Sequence, residues 1–146
     1  MRREAREFAI QFLFHLQLPV FKEALEKYSA AENKAELDYD IQNFKESLDN
    51  DVKKETLVYA KKIILGVLEN YAKIDEKITS FLASSKKKPH SIDKTILLAA
   101  FFEGMYTTDI PAKVLINEYV EIAKKFATKE SAGLINALLD KFQKSL

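Results

Sequence analysis

The chain has 146 residues and a formal net charge of +1, with no Cys, no Trp, three Gly and three Pro. Sandwiches, barrels and doubly wound sheets need turn-forming residues at regular intervals, so this scarcity argues against them and favours one helical bundle. The absence of Cys excludes disulfide scaffolds, Cys-ligated zinc, iron–sulfur clusters and thiol catalysis, and it fits a cytoplasmic protein. The longest apolar run, residues 96–102, is far shorter than the roughly 18 residues of a membrane span, so no membrane association is expected.

Apolar periodicity predicts helices in the amino-terminal half of the chain. The first is predicted over residues 3–17, and Pro19 is expected to end or kink it. A short second helix over 20–28, a polar loop over 29–38 and a weak helix over 41–48 are expected to follow.

An apolar seam with alternating spacings of three and four residues runs from Leu57 to Phe81. It predicts one long helix, or two helices bent near Ile74 and Asp75. Because the seam mixes small and aromatic residues, we favour packing within a bundle over an intermolecular coiled coil.

Three further helices are predicted in the carboxyl-terminal half. A basic loop at residues 86–89 precedes a helix over 92–106, which Ser91 is expected to cap. That helix is apolar on most sides, so it belongs at the centre of the bundle. Asp109 is expected to cap the next helix, and the last is predicted over residues 129–144, giving six or seven helices and an all-α fold.

No catalytic, metal or nucleotide motif is present in the sequence. His15 and His90 have no second ligand at a metal-binding spacing, so we expect no metal. Gly66, Gly104 and Gly133 are isolated, which excludes a Walker loop and a dinucleotide fingerprint. The sequence therefore predicts a protein that is not an enzyme and needs no cofactor.

The opening helix has a second stripe on the side opposite its core face, formed by Arg3, Arg6, Ile10, Phe14 and Gln17. Guanidinium groups pair with phosphates and exposed aromatic rings stack on unpaired bases, so this stripe suggests binding of single-stranded RNA. The alternative is equally consistent with the sequence: Ile10 and Phe14 pack against another helix, and the arginines pair with Glu4 and Glu7.

Charge is distributed unevenly along the chain. Residues 22–56 contain ten acidic residues and six lysines, a local charge of −4, whereas basic residues cluster at the start, at residues 86–88 and near the carboxyl terminus. A basic face beside an acidic flank would orient bound RNA. The run of Lys86, Lys87 and Lys88 is the weaker signal, since lysine runs are more often solvated loops.

Three parts of the sequence resemble the NusB family of transcription antitermination factors. They are the opening RREAREFAIQ at residues 2–11, then IDKTIL at 92–97 with Glu103 and DIP at 109–111, and finally VLINE at 114–118, AKKF at 123–126 and LINALLD at 134–140. Their spacing and order agree with the family from end to end, apart from residues 29–56.

The resemblance implies an all-helical fold of two small subdomains, forming a single RNA-binding domain over residues 1–146. It also implies an adaptor that binds boxA-type single-stranded RNA together with ribosomal protein NusE, within an antitermination complex on RNA polymerase. The family contains monomers and dimers that bury the RNA face, so a homodimer remains open.

The resemblance also suggests site residues. Arg2, Arg3 and Arg6 match the arginine-rich motif, and Phe14 takes the place of a tyrosine that contacts RNA. Phe81 and Asp93 fall at positions that lie near RNA and the protein partner in the family. Glu130 lies where the family commonly has an acid that influences RNA affinity. The residues expected at the RNA are Arg2, Arg3, Arg6, Ile10, Phe14, Phe81, Lys86, Lys87, Lys88, Asp93, Glu130 and Leu134.

Several positions depart from the family pattern. Leu98 stands where arginine is usual, Leu134 where phenylalanine is usual and Ala137 where glycine is usual, and residues 104–107 lack a basic pair that some members have. Stacking of a base on a ring is worth about 1–3 kcal/mol, so the missing ring at position 134 is expected to weaken RNA binding. The alternative function is therefore a helical protein–protein adaptor or dimer with weak or lost RNA binding.

Overall fold

The computed structural model describes residues 2–17, 23, 26–28, 34–85, 87–107 and 109–146. These residues form helices and no strand, as the predicted all-α class requires. The helices with defined bounds are α1 (Arg2–Leu16), α2 (Lys34–Ser47), α3 (Lys54–Glu69), α4 (Tyr71–Leu82), α5 (Ser91–Tyr106), α6 (Ala112–Phe126) and α7 (Lys129–Lys144). Residues 26–28 are also helical. Within the described ranges, no helix combines the length and hydropathy needed to cross a membrane.

The chain divides into two compact units, residues 1–69 and 70–146. In the first unit α1 packs mainly against α3. The α1 residues Ala5, Phe8, Ala9, Ile10, Phe12 and Leu13 are buried, as are Ala60, Ile63, Ile64 and Val67 of α3. The ring of Phe44 in α2 packs edge-on against the rings of Phe8 and Phe12, with centroids 5.6 and 5.5 Å away. Aromatic contacts therefore hold α2 on α1.

In the second unit α5 is the central helix and packs against α4, α6 and α7. Every residue from Thr95 to Glu103 is buried, which confirms the predicted central position. The rings of Phe101 and Phe142 stack at 4.4 Å. Glu103 is 1% exposed, and the Tyr119 hydroxyl donates a 2.5 Å hydrogen bond to its Oε1, so this buried carboxyl group has a partner.

Two predicted boundaries in the middle of the chain are wrong. Helix α2 begins at Lys34, so the loop predicted up to residue 38 is helical in its last five residues. The seam from Leu57 to Phe81 is interrupted at Asn70, and Ile74 lies fully buried inside α4. The seam residues are buried or half-buried within the chain, as the bundle interpretation requires. Pro19, most of the helix predicted over 20–28, and residues 29–33 lie outside the described residues.

Two predicted helix caps are also wrong, and a third was not foreseen. The N-cap of α5 is His90, not Ser91; the backbone N–H of His90 donates to Asp93 Oδ2 at 2.9 Å. Helix α6 begins after Pro111, whose extended backbone makes it the N-cap in place of Asp109. At α7, the Oγ1 of Thr128 accepts from the backbone N–H of Ser131 at 3.0 Å. The bounds predicted for this last helix are confirmed.

Candidate nucleic-acid interface

The first candidate surface runs along α1 and comprises Arg2, Arg3, Arg6 and Phe14, with the Tyr59 ring of α3 beside Arg2 and Arg6; we call it the α1 surface. Arg2 and Arg3 are exposed and Phe14 is half-buried. The guanidinium carbons of Arg2 and Arg6 lie 5.0 and 5.9 Å from the centroid of the Tyr59 ring, within the range of a cation–π interaction. The α1 surface thus presents two cations and part of an aromatic side chain.

Two residues of the predicted outward stripe on α1 are not on its outer side. Ile10 is fully buried and Arg6 is only 2% exposed. Since Arg6 lies over Tyr59, this side of α1 faces α3, and Ile10 follows one turn later on the same side. The expectation that Arg6 and Ile10 face outward is therefore wrong, and Ile10 is buried, as the alternative of packing against another helix requires.

The second candidate surface is an open pocket of about 240 Å³ in the second unit, which we call the α5–α7 pocket. It is lined by Lys87, Lys88, His90, Asp93, Thr128, Glu130, Ser131 and Leu134. Five of these were predicted as site residues, and the fold brings them together from two separate stretches of sequence, residues 87–93 and 128–134. Lys86 lies outside the described residues.

The α5–α7 pocket combines cations, carboxyl groups and one buried acceptor. Lys87, Lys88 and Glu130 are exposed, and Asp93 is 1% exposed. One oxygen of Asp93 accepts the His90 N–H; the other, Oδ1, is buried and has no hydrogen-bond partner within the described residues. Such a pocket can bind phosphate oxygens through its ammonium groups, and the exposed carboxyl group of Glu130 can accept a hydrogen bond from a nucleobase amino group.

Phe81 and Leu98 belong to the core of the second unit. The half-buried Phe81 ring lies edge-on to Phe101 and Phe142, with centroids at 6.0 and 6.1 Å, and it does not line the α5–α7 pocket. Leu98 is fully buried in α5. Leu98, which stands where the family usually has arginine, is therefore a core residue in this fold, and its presence removes no cation from the surface.

Four residues of the candidate surfaces were not predicted from sequence: Tyr59, His90, Thr128 and Ser131. Tyr59 directly precedes Ala60 of the apolar seam, so its nearness to the seam was the available signal. Thr128 and Ser131 have the spacing of a helix cap, which identifies a helix start but no ligand. Among the described residues, no three His, Asp or Glu side chains are grouped so as to hold a metal ion.

Comparison with known proteins identifies the family. The NusB family model matches residues 3–144. Transcription antitermination protein NusB of Psychromonas ingrahamii is 36% identical over 145 residues, which cover 99% of this chain and 89% of that protein. The protein of the same name from Clostridium novyi is 34% identical over 139 residues, 94% of each chain. The solved structure of T. maritima NusB matches with a TM-score of 0.77 at 27% identity, covering 99% of this chain and 91% of that one. The chain therefore belongs to the NusB family and is a transcription antitermination factor.

Proposed function

We propose that this antitermination factor captures boxA-type single-stranded RNA and holds it together with ribosomal protein NusE in a complex on RNA polymerase. The observation that supports the proposal most strongly is the α5–α7 pocket, where Lys87, Lys88, Asp93, Glu130 and Leu134 meet. The lysine run had suggested Lys87 and Lys88, and the resemblance to the family had suggested Asp93, Glu130 and position 134.

The α1 surface supplies phosphate contacts in this proposal. Arg2 and Arg3 are exposed, and a guanidinium group binds phosphate oxygens through two parallel N–H donors. The half-buried ring of Phe14 offers an edge or face to an unstacked base. Arg6 and Ile10, which are buried, support these side chains from within the first unit.

The α5–α7 pocket supplies both attraction and discrimination. Lys87 and Lys88 attract phosphate, while the carboxyl group of Glu130 lowers the positive potential around them and so moderates affinity. The carboxyl group of Glu130 is exposed in the pocket and accepts hydrogen bonds, so a base with an exocyclic amino group can donate to it.

A titration of labelled boxA RNA, with a scrambled RNA of the same composition as control, tests the proposed function. We expect tighter binding of boxA than of the scrambled RNA, and a further increase when NusE is present. Loss of RNA binding in both conditions, with NusE still bound, would instead support a helical protein–protein adaptor.

A second candidate function is that adaptor or a homodimer with weak RNA binding, and the missing ring at position 134 favours it. Light scattering during the titration separates the two. A dimer that buries the α1 surface would lose RNA affinity as protein concentration rises, whereas the RNA-binding factor would not.

Leu134→Phe is expected to raise the affinity for boxA RNA by about tenfold. Leu134 lines the α5–α7 pocket and is 9% exposed, so a larger flat side chain has room to reach the pocket. One added base–ring contact is worth about 1–3 kcal/mol. Fluorescence anisotropy measures the change, and Leu134→Met, which has similar volume but no ring, serves as the control. An affinity equal to that of the Met variant would show that no base stacks at this position.

A further inference from the structure

We propose that Tyr59 is a positioning residue for the RNA-binding arginines, an inference that rests on the proposed function. Three cationic groups surround its half-buried ring. The guanidinium carbons of Arg2 and Arg6 lie 5.0 and 5.9 Å from the ring centroid, and the ammonium nitrogen of Lys62 lies 5.9 Å from it. The ring is therefore a shared anchor for cations from two helices.

The packing of α1 on α3 places the ring where both arginines reach it. Arg2 and Arg6 are four residues apart, so their side chains emerge on the same side of α1. Tyr59 directly precedes Ala60, which is fully buried in α3. The burial of Ala60 fixes the position of the Tyr59 ring along the axis of α3, next to the first two turns of α1. One aromatic side chain can thus contact two successive turns of α1.

The Tyr59 ring offsets an unfavourable electrostatic interaction at the start of α1. The amino terminus of a helix has a partial positive charge, so Arg2 and Arg3 in the first turn are repelled by the helix that contains them. The negative face of an aromatic ring attracts a guanidinium group and offsets this repulsion. Without the ring, the first turn of α1 would be expected to fray and its arginines to spread over many rotamers.

The contact leaves Arg2 able to bind RNA. A cation–π interaction uses the face of the guanidinium group, whereas phosphate is bound through the N–H donors at its edge. Arg2 is exposed, so RNA can approach its side chain from solvent, while Arg6 is 2% exposed and remains at the ring. Tyr59 thereby reduces the conformational freedom that Arg2 would lose on binding, which increases affinity without any contact to RNA.

Titrations of boxA RNA with Tyr59 variants of the full chain test this inference. Tyr59→Leu, which lacks the ring, is expected to weaken binding about threefold to tenfold, the effect expected when one long side chain must be ordered on binding. Tyr59→Phe retains the ring and is expected to bind like the wild type. Tyr39→Leu is the matched control, because Tyr39 belongs to the same unit and is 67% exposed on α2.

Two further measurements separate positioning from a merely structural effect. In the Arg2→Ala background, Tyr59→Leu is expected to have a much smaller effect than in the wild type, since the main group that it orients is absent. In NMR spectra of the free protein, the Arg2 side-chain N–H signal is expected to show a ring-current shift that Tyr59→Phe preserves and Tyr59→Leu abolishes.

The outcomes distinguish this inference from the proposed function. Wild-type protein that binds no boxA RNA, with or without NusE, would overturn the proposed function and this inference with it. Wild-type binding that Tyr59→Leu leaves unchanged would overturn the inference alone. Equal weakening by Tyr59→Phe and Tyr59→Leu would also overturn it, because the hydroxyl group rather than the ring would then be responsible.

Discussion

Replacing Arg2 and Arg3 together by Ala is expected to weaken binding of boxA RNA by at least about tenfold and to flatten its salt dependence. Both side chains are exposed at the start of α1. Each phosphate neutralised on a single strand adds about 0.7 to the slope of log affinity against log salt concentration, so losing two contacts should reduce the slope by about 1.4. Titrations at four or five salt concentrations measure both quantities.

A second double variant controls for the change in net charge. Lys141→Ala with Lys144→Ala removes the same charge from exposed positions of α7. We expect this variant to retain nearly the wild-type slope. If both double variants lowered affinity and slope equally, RNA would be responding to the overall charge of the protein, and the α1 surface would not be a specific contact.

Gly104→Ala is expected to destabilise the protein by about 1–3 kcal/mol, the usual cost of overfilling a packed core. A Cβ atom at this position would lie 2.4 Å from Cε2 and 3.2 Å from Cζ of Phe142. Phe142 is fully buried, stacks on Phe101 with an interplanar angle of 14° and meets Phe81 edge-on, so its ring has little room to move. Urea unfolding followed by circular dichroism measures the free energy of unfolding.

The matched glycine on α7 is expected to respond in the opposite direction. A Cβ atom at Gly133 would meet no atom within 4 Å, and the position is exposed within the helix. Gly133→Ala should therefore stabilise the protein by about 0.5–1 kcal/mol, since Ala loses less backbone freedom in a helix. Unchanged stability of Gly104→Ala beside a stabilised Gly133→Ala would contradict the close packing of α5 on Phe142.

The parts of the fold that were predictable from sequence are those where hydrophobic periodicity decides the structure. The bounds of α7 and the central position of α5 follow from dense apolar residues on the core-facing side. The predicted start of α2, residue 41, falls after the observed start because the first turns of this helix are mostly polar. Its buried residues are Leu37 and Ile41, and their tertiary contacts stabilise the helix. The N-caps of α5 and α6 are not the residues predicted from sequence, because any of several neighbouring residues can take the capping position.

Five residues that line the α5–α7 pocket were expected from sequence, whereas the arrangement of the candidate surfaces was not. The pattern on α1 could not show that α3 covers Arg6 and Ile10, because periodicity alone does not reveal how wide an arc of a helix its neighbours cover. The α5–α7 pocket joins residues 87–93 to residues 128–134 at the start of α7, which are distant in sequence. Only the packing of the helices brings them together.

The most direct test of the account is ultraviolet crosslinking of boxA RNA to the full chain with NusE present, followed by mass spectrometry of the crosslinked peptides. If the α1 surface and the α5–α7 pocket bind RNA, crosslinks are expected in the peptide that contains Arg2, Arg3 and Phe14, and in the peptides that line the pocket. Crosslinks confined to NusE, or to α2 and the outer face of α6, would contradict the account.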